Sequence, residues 1–247
     1  MDALLATAAD PTTQLTLGVI FCAVIVRAAL GFGDVLVSVP ILALFVGPRQ
    51  VVPLMGLVGA TNALLLLVME RQSVRWRPVR FLLLASVVGL PIGVALLRWL
   101  AEDTISLGLG VVLIAFCVWT LAGRRAVRLD SAGWALPFGL CAGVMGGAVT
   151  ATGPPIVAYS TTQDWNPSER RATMQGFFLP NSILILLSHG LVGFWTPTVL
   201  RTYLLAIPVC LIALPVGRWI AGGLSQSRFE FLTVLVLLGT GLLLVVQ

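Results

Sequence analysis

The chain has 247 residues, of which 58% are apolar and only 10% charged, with a mean hydropathy of +1.03. That balance excludes an ordinary water-soluble domain, whose surface carries far more charge. The net charge of +5 comes entirely from arginine, with no lysine, and the arginines sit mostly in short loops between apolar runs. Such a pattern reads as membrane topology rather than as a nucleic-acid surface. No soluble domain is expected between the runs.

The N-terminus, Met1-Asp2-Ala3, lacks the basic region of a secretory signal, so no cleavage is expected. The first apolar run, Leu15–Leu30, gives about 24 Å of helix and the next, Val35–Val46, about 18 Å, against a hydrocarbon core of about 30 Å. Between them Gly31-Phe32-Gly33-Asp34 makes a poor helix interior. One helix over both runs would measure about 48 Å, so a re-entrant hairpin with its tip deep in the membrane is expected. Val51–Met69, Val79–Leu100 and Ile105–Ala122 then read as full spans.

A basic linker, 124–133, separates a first repeat over 1–123 from a second over 134–247. The second opens on another broken pair, Trp134–Val149 and Thr152–Thr161, joined around Gly146–Gly153. A span containing Asn181 follows, then Val199–Ala221 and Phe229–Val246. The halves echo each other: Gly33 to Pro40 and Gly147 to Pro154 share one spacing, and Asn62 and Asn181 fall at matching places. Leu90-Pro91-Ile92-Gly93 answers Leu214-Pro215-Val216-Gly217. The expected fold is all-α and polytopic, with two inverted repeats of five helical segments, each opened by a broken hairpin.

With both hairpins returning to the side they entered, Arg71, Arg75, Arg77, Arg80, Arg124, Arg125, Arg128, Arg170, Arg171, Arg218 and Arg228 share one side. Arg49, Arg98 and Arg201 face the other. The Arg-rich side is then cytoplasmic and both termini lie outside the inner membrane. All seven tryptophans, Trp76, Trp99, Trp119, Trp134, Trp165, Trp195 and Trp219, fall in loops or near run ends, where indole prefers the headgroup region. Cys22, Cys117, Cys141 and Cys210 lie in apolar runs with no metal or disulfide spacing and read as small core residues.

Paired hairpin tips near the midplane form an anion site in principle, because each second helix begins there with free N–H groups and a positive dipole end. Gly31, Gly33 and Ser38 at one tip, and Gly147, Thr150, Thr152 and Gly153 at the other, are small enough to let a ligand approach. The hydroxyls of Ser38, Thr150 and Thr152 add donors. The same small residues also suit close helix packing, and both readings stand. Arg27 is the sharpest feature: a central arginine costs about 2.5–3.5 kcal/mol even on the lenient insertion scale, so it faces a cavity or a partner. It is read either as an anion ligand or as an ion pair with Asp34, seven residues on. Asp34 is a proton-coupling candidate, a partner for Arg27, or a cap on the following helix. Asn62, Gln175 and Asn181 either line the site or join helices. His189, the single histidine, is read as interfacial, with a proton relay as the alternative.

No Gly-x-Ser-x-Gly, paired histidines or clustered carboxylates point to an intramembrane enzyme, and no cofactor or metal is expected. A passive channel is not distinguished from a transporter at this level. The partners expected are a small anion and the lipid bilayer, with a homo-oligomer open.

At its breaks and prolines the chain resembles the TauE/SafE sulfite-exporter family. The residues concerned are Gly31-Phe32-Gly33 with Val39-Pro40-Ile41, Gly143–Gly147 with Thr152-Gly153-Pro154-Pro155-Ile156-Val157, Gln175-Gly176 with Asn181, and Pro91-Ile92-Gly93. The resemblance runs from about Leu15 to the end. It implies a secondary transporter of sulfite, thiosulfate or a small organosulfonate, driven by an ion gradient. Members with this pattern often carry a small residue where this chain has Asp34. The departure bears on the substrate, because a carboxylate there repels a dianion unless it is protonated or paired with Arg27.

Overall fold

The computed structural model describes residues 2–70, 73–122, 128–129, 131–223 and 226–246, and no strand occurs among them. Arg71, Arg124, Arg125 and half of the linker, with the side chain of Arg228, lie outside what is described.

A short helix not anticipated from the sequence, α1 (Asp2–Ala9), precedes α2 (Pro11–Leu30). Asp10 caps α2, its carboxylate accepting the Thr13 N–H at 2.9 Å, and Pro11 takes the first helical position. Capping therefore extends α2 through the polar stretch that hydropathy leaves out. At 20 residues, about 30 Å, it is long enough to cross a membrane, which corrects the expectation of a short first segment. After the Gly31–Gly33 break come α3 (Asp34–Val46), α4 (Pro48–Glu70), α5 (Trp76–Trp99) and α6 (Glu102–Leu121). A turn of 3-10 helix, Ala132–Trp134, leads into α7 (Ala135–Val149), α8 (Gly153–Thr161), α9 (Pro167–Leu191), α10 (Pro197–Gly223) and α11 (Gln226–Val246). Five helices, α2, α4, α5, α6 and α10, have the length and apolarity to cross a bilayer, and the chain is a polytopic membrane protein.

The halves interlock rather than stand side by side. The long α5 packs along α7, and its counterpart α10 packs along α2. Glycines make the α5–α7 crossing close: a Cβ at Gly139 would strike the Leu82 carbonyl, one at Gly143 the Ser86 carbonyl, and one at Gly147 the Leu90 carbonyl. From the other side a Cβ at Gly93 would fall 2.7 Å from the Ala148 nitrogen. Across the second crossing, a Cβ at Gly217 would fall 2.7 Å from the Ala28 Cβ and 2.9 Å from the Ile25 carbonyl oxygen. The two Leu-Pro-x-Gly elements thus do the same job, each supplying the glycine that meets the first hairpin helix of the other half.

The equal Gly–Pro spacing does not carry the same weight. Gly33 caps α3 and Pro40 lies inside it, whereas Gly147 lies inside α7 and Pro154 begins α8. The asparagines match better, each falling fourteen residues after the first residue of its helix, Pro48 or Pro167.

Contacts along α4 and α9 show how the hairpins enter. Asp34, at the first tip, meets Asn62, toward the far end of α4, while Thr150, at the second tip, meets Val52 near its start. On α9, Gly31 meets Gln175 early, and Gly146 packs against Ile185 late. The two tips thus pack against opposite halves of both α4 and α9. The two rims carry separate ion pairs: Arg49 with Glu102 on one, and Arg75 with Glu169 and Arg128 with Asp164 on the other.

Candidate functional site

Beside the two hairpin tips lies a cavity of about 30 Å³, lined by Arg27, Gly33, Asp34, Thr150, Thr152 and Gly153 from the sequence candidates. Phe32, from the Gly31-Phe32-Gly33 motif, also lines it, as do Gly59, Phe178 and Ser182, which were not site candidates. The volume suits one or two waters and is smaller than a sulfur oxyanion.

Arg27 and Asp34 form a buried ion pair. One guanidinium nitrogen, Nη1, donates to both carboxylate oxygens of Asp34, at 2.9 and 3.1 Å, and the side chains are only 6% and 2% exposed. Nη2 donates to the Gln175 Oε1 at 3.2 Å, and the guanidinium carbon lies 5.6 Å from the centre of the Phe178 ring. Nε has no partner among the described residues. The pairing alternative for Arg27 is therefore formed in this conformation, and its Nε–H stays uncommitted. The capping alternative for Asp34 is not: Asp34 is the first residue of α3, Gly33 is its cap, and no side-chain cap bond is made.

Two amides hold this pair. Asn62 donates from Nδ2 to Asp34 at 3.1 Å, and Gln175 donates from Nε2 to the Gly31 carbonyl at 2.5 Å. Gln175 thereby clamps the left-handed turn at Gly31 (φ 83°) while its oxygen receives Arg27. Neither amide lines the cavity; both position what does. Asn181 stands apart: its oxygen accepts the Ser86 hydroxyl at 2.5 Å, joining α9 to α5.

Other candidates turn out to be committed elsewhere. The Ser38 hydroxyl donates to the Asp34 carbonyl at 2.6 Å, within its own helix. Gly147 packs on α5 away from the cavity, and its carbonyl lies 3.1 Å from the His189 Nε2. His189 lies in the last turn of α9, at the helix end expected for it, and is fully buried, its ring set against the second hairpin. Thr150 donates to the Val52 carbonyl at 3.1 Å and sits at φ 58°, a conformation costly for a β-branched residue. Only Cys117 and Cys210 are core residues; Cys22 and Cys141 lie on the exterior, because lipid and core are equally apolar and hydropathy does not separate them.

The helix-terminus argument holds for one tip more than the other. At α3 the N–H groups of Asp34, Val35 and Leu36 have no acceptor within the helix. At α8, Pro154 and Pro155 remove two such donors and leave Gly153 to supply the remaining one of its first turn. The positive end facing the cavity therefore comes mainly from the first hairpin, beside Arg27.

A family model described as Sulfite exporter TauE/SafE matches residues 16–244. No curated protein and no solved structure matches the chain.

Proposed function

From the premise that this chain belongs to the sulfite exporter TauE/SafE family, we propose that it is a secondary transporter of a small sulfur-containing anion, sulfite or an organosulfonate. It works across the inner membrane by alternating access around the two hairpin tips, coupled to an ion gradient. The observation that carries this reading is the small cavity beside the two hairpin tips, with Arg27 and the start of α3, which has no side-chain cap, on its wall. A site smaller than the anion, set between two packed hairpins, suits a carrier better than a continuously open channel. The halves are inverted repeats, the Arg-rich rim is cytoplasmic, and both termini face outward.

The test is efflux of sulfite and of methanesulfonate from proteoliposomes. Saturable flux, lost in Arg27→Gln and kept in the exposed control Arg80→Ala, supports the reading. Flux that rises without saturation makes the protein a channel, and absence of flux for every sulfur anion removes the substrate assignment.

A further inference from the structure

Asp34 already occupies, with its carboxylate, the Arg27 Nη1 that an incoming anion would meet, while the Arg27 Nε and the first N–H groups of α3 stay open. Both of its oxygens are taken by the Arg27 Nη1, and Asn62 adds a third bond. Resting on the transporter reading above, we infer that Asp34 is a tethered stand-in for the substrate. The anion takes over Arg27 from the Asp34 carboxylate, Asp34 takes up one proton where it stands, and the site therefore carries singly charged anions together with a proton.

The charge balance requires this pairing. Arg27 and Asp34 cancel, and both are buried within membrane-spanning structure. Adding a monoanion without a proton leaves one uncompensated negative charge in a low-dielectric site, which is strongly unfavourable. When Asp34 accepts a proton, the bond that forms is carboxyl O–H. Arg27 is then paired with the anion and the net charge is again zero. A dianion with the same single proton leaves the site negative, so the balance selects against it. The protonated carboxyl keeps its place, since Asn62 still donates to one oxygen and the freed O–H turns toward the cavity.

Among the described residues set toward Asp34, Arg171 is the one further cation, and it already has an interaction of its own. Besides Arg27 on α2, the charged or titratable groups set toward Asp34 among the described residues are Arg171 of α9, against Gly31 at the tip, and the Cys210 thiol on α10. Asn62 from α4, Gln175 and Phe178 from α9 and the threonines of the second tip are neutral. Residues 231–246 of α11 hold no titratable side chain.

The experiment is calorimetric binding to the purified protein in two buffers of different ionisation enthalpy. The probes are methanesulfonate, hydrogensulfite and sulfate; methanesulfonate and sulfate share a tetrahedral shape and differ in charge. The proposal expects uptake of about one proton per methanesulfonate bound. It also expects sulfate to bind at least about tenfold more weakly. In Asp34→Asn the proton uptake disappears and methanesulfonate binds at least about tenfold more tightly, since Arg27 no longer has a competing carboxylate. Binding without proton uptake in the wild-type protein, or sulfate bound as well as methanesulfonate, overturns the proposal and leaves the transporter reading intact. Failure of all three anions to bind the wild-type protein overturns both. The wild-type proton count decides the matter even if Asp34→Asn does not fold.

Discussion

The amide of Asn62 donates to the Asp34 carboxylate at 3.1 Å while its own carbonyl oxygen has no partner among the described residues. Interhelical hydrogen bonds in membranes average about 0.6 kcal/mol, but this one ends on an ionised group and belongs at the upper end of the range, near about 1.5–3 kcal/mol. Asn62→Leu should lower the unfolding free energy by that amount in detergent titration. Asn181→Leu, which loses a neutral bond to Ser86, should cost less. Equal losses would mean that Asp34 gains little from Asn62.

The glycines of the interlock give a sharper contrast. A Cβ at Gly93 would collide with the backbone of α7, and backbone has no means of moving aside locally. Gly93→Ala should therefore abolish a folded, monodisperse protein or shift its melting point far downward. Gly108 on α6 has nothing within 4 Å of a Cβ. Gly108→Ala should be neutral or slightly stabilising, since alanine is the better helix former by about 1 kcal/mol. Size-exclusion profiles and melting points of the two variants settle the comparison.

Thr150 combines a strained backbone with a bond to the Val52 carbonyl. Thr150→Gly removes a left-handed strain of about 1–2 kcal/mol but also the bond, so its stability should change little. Thr150→Val keeps the strain and loses the bond, and should destabilise by about 1–3 kcal/mol. The order of the two melting points checks this. If the second tip moves during transport, efflux should fall in both variants, because the hydroxyl that ties the tip to α4 is gone from each.

Sidedness is open to direct measurement. In a cysteine-free background, Ser131→Cys before α7 and Thr196→Cys before α10 lie at opposite ends of the bundle by the proposed topology. A membrane-impermeant thiol reagent applied to intact cells should label the second and spare the first. The reverse pattern would invert the assignment of both termini.

Much of the site's chemistry was legible residue by residue. Arg27 and Asp34 stand seven apart, so one turn-and-break geometry brings them together, and an arginine in an apolar run demands a partner. Gln175 could be marked as an intramembrane amide, but not as the clamp on Arg27, which is 148 residues away in the chain. The contacts that Ser38, Gly147 and His189 make here were not legible in the sequence, for a common reason. Small or polar residues in apolar runs serve helix packing and ligand contact alike, and their spacing is the same in either case.

By itself the amino-acid sequence determined the membrane class, the broken hairpins and the buried charge, because each rests on local quantities: apolar length, glycine and proline placement, and the cost of arginine in hydrocarbon. Tertiary structure alone decided which face of each helix meets lipid, which glycines admit a neighbouring backbone, and which amide holds Arg27 and which holds Asp34. Those outcomes depend on the register between helices distant in the chain, and in a membrane hydropathy carries no information about register, since lipid and protein core are equally apolar.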